Sequence, residues 1–429
     1  MIRATNGYRL TWANRPIDEV EIILPPSKSI ISRQLILRAV SGLPLLDHTM
    51  QPAFWSLDNK AILAALSQAA EGVEVISAGE SGTAMRLLAA YLAATVQTPT
   101  TLCGQGRQHS RIIAPLVEAL RCMGADIAYL ESEGYPPLRI SPAKLCGGRV
   151  ELDASVSSQF ISALLLIAPL LDEDLEIILT NKHRVSEPYA HMTAAMLAQS
   201  GCVVAEKGSG YHVRQDQSAI SNPLGLEADW TAASYFYAFT ALSPSPVTVH
   251  LPSLYLDSLQ GDCAYVCKLF EAFDIVTHRN DNGVTITRKS DLGADTLTAH
   301  MQHCPDLVPT LVSLCICKGV SFVFCGVSAL RTKESDRLAV LSQEFAKLGY
   351  KLDVKDDEIA WQSSSTIPHK RASEVTIDPA NDHRIAMAFA LWAFYDEEGI
   401  IIQSPEVVNK SFPGFWTEVQ KLGITIEER

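Results

Sequence analysis

No C-x-x-C pair occurs among the ten cysteines of this 429-residue chain, and at that length a disulfide-stapled mini-domain is excluded. The cysteines are expected to be reduced, mostly buried thiols of a cytoplasmic protein. No apolar h-region lies within Met1 to Val20, so no signal peptide is expected. No apolar run reaches the length of a membrane span: "FISALLLIAPLL" from Phe160 is too short, and the run from Pro309 is interrupted by Lys318-Gly319. Basic residues are outnumbered, with 35 Lys and Arg against 48 Asp and Glu and a formal charge of −13. That balance argues against nucleic acid or an anionic membrane as a partner, because both demand a basic face. His183 and His191 lack H-E-x-x-H spacing, so zinc is not expected. Apolar side chains, by contrast, are plentiful: 47% hydrophobic residues suffice for a core in each of two or three domains.

Internal repetition is the strongest pattern. Six apolar runs each begin with a short polar residue suited to a helix N-cap: Ser27, Ser81, Ser157, Asp229, Asp306 and Asp382. Successive starts are 54, 76, 72, 77 and 76 residues apart. Between them lies a second, amphipathic series that ends at Gly72, Gly124, Gly201, Gly349 and Gly423, with Phe273-Asp274 in that place once. Glycine there predicts a left-handed helix C-cap. Each unit reads as strands interleaved with one buried and one half-exposed helix, an α/β unit of βαβ type. Six units make two domains of three, with the apolar helices interior and their N-termini directed to one end.

Charge is placed oddly in the first apolar run, "ILPPSKSIISRQLILRAV". Pro25-Pro26-Ser27 is a helix-start signal. Ser29 and Arg33 then share a helix face, and Lys28 stands at an end that already carries roughly +0.5 charge from unpaired N–H groups. An anion is expected there. Further basic residues gather at Arg86, at Arg107 and Arg111, at Arg331, Lys333 and Arg337 with Glu334 and Asp336, at His383-Arg384, and at Lys410.

Seven segments in unchanged order carry a family resemblance: "LPPSKSIISRQLILRAV", "SGTAMRLL", "SVSSQFISALLLIAPL", "VSEPYAHMTAAML", "LRTKESDRLAVLSQEFAKLG", "NDHRIAMAFAL" and "NKSFPGFWTEVQKLG". Together they resemble the 5-enolpyruvylshikimate-3-phosphate synthases, or 3-phosphoshikimate 1-carboxyvinyltransferases, from about residue 20 to the end. The resemblance implies a two-domain inside-out α/β barrel, each domain three βαβαββ units, with substrates bound in the inter-domain cleft. The domains expected are 21–228 and 1–20 plus 229–429.

It also implies the reaction: the enolpyruvyl group of phosphoenolpyruvate passes to the 5-hydroxyl of shikimate 3-phosphate and phosphate is released. Lys28, Gly82, Arg111, Gln159, Arg337, Arg384 and Lys410 would bind phosphoenolpyruvate, arginine's fork suiting its phosphate and carboxylate. Ser29, Arg33, Ser157, Ser158, Gln159, Ser186, Tyr189, Asp306 and Lys333 would bind shikimate 3-phosphate. Asp306 would take the hydroxyl proton and Glu334 would give one to the methylene carbon, Lys28 assisting. A cationic cage would stabilise the developing charge with no metal and no cofactor. A monomer is expected, with the two small-molecule substrates as its only partners.

Several positions depart from the family pattern: Glu80-Ser81 where Asn-Ala is usual, Leu87 and Ile112 where Pro follows an arginine, Ala329-Leu330 for Asn-Trp, and Pro26 for Gly. Two alternatives stay open at this point. One is transfer to UDP-N-acetylglucosamine, whose enolpyruvyl transferases carry Lys-Asn where this chain has Lys28-Ser29 and a cysteine in the loop written here "GQGRQHSRI". The other is an anion-binding member of the fold without turnover.

Overall fold

The two alternating series of the sequence become two alternating series of helices. In a continuous unit, Ser27–Leu226, these are α1 Lys28–Val40, α2 Leu57–Ala70, α3 Gly82–Thr95, α4 Ala114–Cys122, α5 Gln159–Ile167 and α6 Pro188–Gln199. In a split unit, Met1–Pro26 with Glu227–Arg429, they are α7 Trp230–Leu242, α8 Asp262–Phe270, α9 Val308–Lys318, α10 Arg337–Lys347, α11 His383–Phe389 and α12 Phe415–Gln420. The computed structural model describes residues 7–13, 17–48, 50–155, 157–181, 184–214, 225–289, 293–363, 374–395 and 398–429, so His183 lies outside the described residues.

Four of the six polar starts cap their helices. Ser27 accepts from Ile30 N–H, Ser81 from Ala84 N–H, Asp229 from Ala232 N–H and Asp382 from Arg384 N–H. Two differ from expectation. Ser158, not Ser157, is the N-cap of α5, and the Ser157 hydroxyl accepts from the Gln159 N–H at 3.2 Å. Asp306 lies in a 3-10 turn, Pro305–Leu307, ahead of α9, and its carboxylate is drawn to arginines instead. The amphipathic helices end as their glycines require: Gly72, Gly124, Gly201, Gly349 and Gly423 all have positive φ. After α8, Asp274 takes the left-handed conformation at φ 58°, which costs a residue with a Cβ about 1–2 kcal/mol.

Five four-stranded sheets share one topology. In each, one parallel pair is extended on one side by two antiparallel strands, and in four of the five a single odd-numbered helix, α3, α5, α9 or α11, lies between the parallel strands in the chain. Val75–Ser77 pairs parallel with Thr100–Cys103 around α3, and Leu138–Ser141 and Asp126–Tyr129 complete that sheet. The split unit borrows two strands from the chain's start. Glu19–Glu21 is the parallel partner of Thr248–Pro252, and Gly7–Trp12 joins Ile400–Gln403 to Ile424–Glu428. Among the described residues α1 and α2 have no such sheet of their own. The 54-residue spacing from Ser27 to Ser81 leaves no chain for it.

The odd helices form each centre. In the continuous unit α1, α3 and α5 pack on one another, and in the split unit α7 and α11 both pack on α9. Every residue of α7 from Trp230 to Ala241 is buried, which explains its lack of a polar face. Aromatic edges knit this core, with Phe236 and Phe415 in contact with each other and each with Phe239 and Phe412. The ten cysteines are free thiols; four are buried, four half-buried and two exposed, fewer buried than expected. Among the described residues no helix is long and apolar enough to cross a membrane.

Candidate active site

In the split unit the loop before α10 and the starts of α9 and α11 bring three carboxylates to one guanidinium. Arg337, the first residue of α10, is 1% exposed. Its Nε donates to Asp382 Oδ2 at 2.7 Å, its Nη1 to Asp306 Oδ1 at 2.8 Å and its Nη2 to Glu334 Oε2 at 2.8 Å. Burial alone would lower the pKa of Arg337, but Asp382, Glu334 and Asp306 outweigh it and hold the group above its ordinary value. Asp306 is shared: its Oδ2 accepts from Arg384 Nη2 at 2.8 Å, and Lys333 Nζ lies 3.5 Å from its Oδ1. Three cations thus face three carboxylates. The fully buried Asp382 is the anchor, accepting also from Ser335 Oγ and from the Arg384 N–H that it caps. Lys410 stands next to this network, its Nζ donating to the Asn381 carbonyl at 3.1 Å. Ala380 and Asn381, just before the cap, are both left-handed, at φ 51° and 58°.

Lys28, Arg33, Gly82, Arg111 and Gln159 belong to the continuous unit. At the start of α1, where an anion was expected, Lys28 Nζ donates to the carboxylate oxygen Oδ2 of Asp58 in α2 at 3.0 Å. Arg33 turns inward. Its Nε donates to Thr193 Oγ1 at 2.6 Å, Nη1 to the Ser29 carbonyl at 3.0 Å, and Nη2 to Ser162 Oγ at 3.0 Å and the Tyr189 carbonyl at 3.4 Å. All these acceptors are neutral. Burial brings its pKa down to about 10, with Tyr189 opposing the shift. A buried guanidinium balanced only by neutral oxygens is costly without an anion nearby.

At the start of α3, the Arg111 guanidinium occupies the space that a side chain on residue 82 would fill. A Cβ on Gly82 would meet Arg111 Nη1 at 2.4 Å and Cζ at 2.7 Å. Ser81 keeps the cap there, while Glu80, the departure from the family pattern, is exposed. Gln159, first in α5, accepts from Arg86 Nη1 at 2.6 Å and donates to Thr83 Oγ1 at 2.8 Å. Arg86 also lies over the Phe160 ring, 5.4 Å from its centroid. Ser186 is left-handed at φ 56° and its carbonyl accepts from Tyr189 N–H at 3.1 Å.

The structure therefore joins Asp306, Lys333, Glu334, Arg337 and Arg384 in one network, and separately Arg111 with Gly82, Gln159 with Ser157, and Arg33 with Ser29 and Tyr189. Sequence reading missed Asp58 as the partner of Lys28. It singled out Asp382 only as a cap and Arg86 only as one of the basic residues built into the helix starts. The capping serine Ser56, two residues before Asp58, was the only local signal.

A family profile described as EPSP synthase (3-phosphoshikimate 1-carboxyvinyltransferase) matches residues 56–419. A 3-phosphoshikimate 1-carboxyvinyltransferase of Bacteroides fragilis is 37% identical over 407 residues, 95% of this chain and 96% of the relative. Another, of Methanoculleus marisnigri, is 35% identical over 356 residues, 83% of this chain and 81% of the relative. The solved structure of EPSP synthase from Acinetobacter baumannii aligns with a TM-score of 0.75 at 21% identity, covering 99% of this chain and all of that one, and so shares the fold.

Proposed function

The chain belongs to the EPSP synthase (3-phosphoshikimate 1-carboxyvinyltransferase) family, and on that premise we propose that it transfers the enolpyruvyl group of phosphoenolpyruvate to the 5-hydroxyl of shikimate 3-phosphate, releasing phosphate. The observation that carries the reading is the balanced cluster of Asp306, Glu334 and Asp382 around Arg337, Arg384 and Lys333. An anionic substrate arriving at Arg337 and Arg384 competes with Asp306 and Glu334 for the same N–H groups. A displaced carboxylate loses the hydrogen bonds that favour its ionised form, so its proton affinity rises. Proton transfer at neutral pH needs carboxylates tuned in that way.

In this reading Asp306 takes the proton of the 5-hydroxyl as its oxygen bonds to C2 of phosphoenolpyruvate. Glu334, assisted by Lys28, supplies a proton to C3, giving a tetrahedral phospho-ketal with a methyl group. Return of a methyl proton to a base then expels phosphate and restores the double bond. Arg337, Arg384 and Lys410 of the split unit, and Lys28, Gly82, Arg111 and Gln159 of the continuous unit, are assigned to phosphoenolpyruvate. Lys333 and Asp306 of the split unit, and Ser29, Arg33, Ser157, Ser158, Gln159, Ser186 and Tyr189 of the continuous unit, are assigned to shikimate 3-phosphate. The buried positive charge of Arg33, balanced only by neutral acceptors, supports its part in this, as does the Arg111 charge lying against the positive end of α3.

Phosphate release with both substrates tests the reading. It is expected to require both and to persist in EDTA. Asp306→Ala and Glu334→Ala are each expected to lower kcat by about 10²–10⁴-fold. Phosphate release from either substrate alone, or full activity in both variants, would contradict it.

A further inference from the structure

The α1 and α2 pair is the one helix pair among the described residues without a four-stranded sheet of its own repeat, yet α1 opens with the lysine assigned to phosphoenolpyruvate. What fixes its first turn is the N-terminus of α2. Ser56 caps α2 and donates through Oγ to Asn59 Oδ1 at 2.7 Å. The fully buried Asn59 amide then donates to the Lys28 carbonyl at 2.9 Å and to Ser32 Oγ at 3.0 Å. Ser32 Oγ itself donates to the same Lys28 carbonyl at 2.8 Å. The Asn59 side chain has both N–H donors and its oxygen engaged, so it admits one orientation. One residue earlier, Asp58 reaches the Lys28 ammonium at 3.0 Å, with side chains 13% and 16% exposed.

We propose that Asp58 and Asn59 are positioning residues for Lys28: Asn59 clamps its backbone and Asp58 holds its ammonium in place for the phosphoenolpyruvate anion. Two adjacent residues of α2 grip both ends of one residue of α1. A lysine ammonium on four rotatable bonds is otherwise poorly placed for an anion, and a fixed carboxylate removes most of that freedom. Asp58 also neutralises the charge that Lys28 adds to the helix end, so α1 stays stable when no substrate is present. The grip replaces, by side-chain hydrogen bonds, the rigidity that the other five repeats obtain from a sheet. The inference rests on the assignment of Lys28 to phosphoenolpyruvate given above.

Two readouts on Asp58→Asn and Asp58→Glu test it. The first is steady-state kinetics with each substrate varied. Asp58→Asn keeps shape and loses charge, and is expected to lower kcat/KM for phosphoenolpyruvate by about tenfold or more while KM for shikimate 3-phosphate stays within about threefold. Asp58→Glu restores the charge and is expected to recover part of the loss. The second readout needs no turnover: pulse acetylation with acetic anhydride, with the Lys28 peptide measured by mass spectrometry. Losing the carboxylate favours the neutral, reactive amine, so Lys28 is expected to acetylate severalfold faster in Asp58→Asn than in the wild type. An unchanged Lys28 rate overturns the proposal whatever turnover does. So does an equal rise in KM for both substrates, which would mark a general structural role. Faster Lys28 acetylation in a protein that releases no phosphate even as wild type would uphold the grip and overturn the reaction assigned above.

Discussion

Asp262 shows what burial does to a single carboxylate in this fold. It opens α8, is 1% exposed, and accepts from the Thr231 hydroxyl. Burial pushes its pKa from 3.8 up to about 6; the Thr231 hydrogen bond opposes the shift and the charge of Asp306 adds to it. The native protein therefore binds more protons at this site than the unfolded chain between about pH 4 and 6, and stability falls as pH rises through that window. Above it the loss from this group is about 3 kcal/mol. Asp262→Asn keeps an acceptor for Thr231 and removes the ionisation. Urea unfolding is expected to show it more stable than the wild type at pH 7, with little difference at pH 4; equal midpoints at pH 7 would contradict this. Asp382 is buried as deeply, and there Arg337, Ser335 and the Arg384 N–H all donate to the carboxylate. Neither partnership was legible in the sequence. Arg337 and Asp382 are 45 residues apart, and Lys28 and Asp58 are 30 apart. Spacing along a chain does not report such pairs.

Helices were legible where local chemistry decides them. Serine and aspartate caps at Ser27, Ser81, Asp229 and Asp382, and left-handed glycines after α2, α4, α6, α10 and α12, depend on neighbours within a few residues. Asp306 failed as a cap for a tertiary reason: three cations from two other segments outbid the local N–H groups for its carboxylate. The start of α3 gives a test at this scale. Gly82→Ala puts a Cβ within 2.4 Å of Arg111 Nη1, so the guanidinium must move, while alanine is the better helix former. KM for phosphoenolpyruvate is expected to rise about tenfold with KM for shikimate 3-phosphate nearly unchanged and no fall in melting temperature. Equal shifts in both constants would show that Arg111 serves neither substrate selectively.

Across the whole molecule one βαβαββ unit, repeated, places helix starts and their charges at comparable positions in successive repeats. Six equal units were expected, but the first spacing is the shortest, and among the described residues α1 and α2 have no four-stranded sheet beside them. Net charge of −13 coexists with anion-binding chemistry because the cations are gathered locally and matched by carboxylates. In the proposed reaction these carboxylates move protons on and off the phosphoenolpyruvate methylene carbon through a methyl intermediate. The most direct test is turnover in D₂O with mass analysis of the enolpyruvyl product. Deuterium in its vinyl methylene group, with product formation lost in Glu334→Gln, is the result predicted. Product formed at full rate with no deuterium at that carbon would contradict the account, since no methyl group would then have formed.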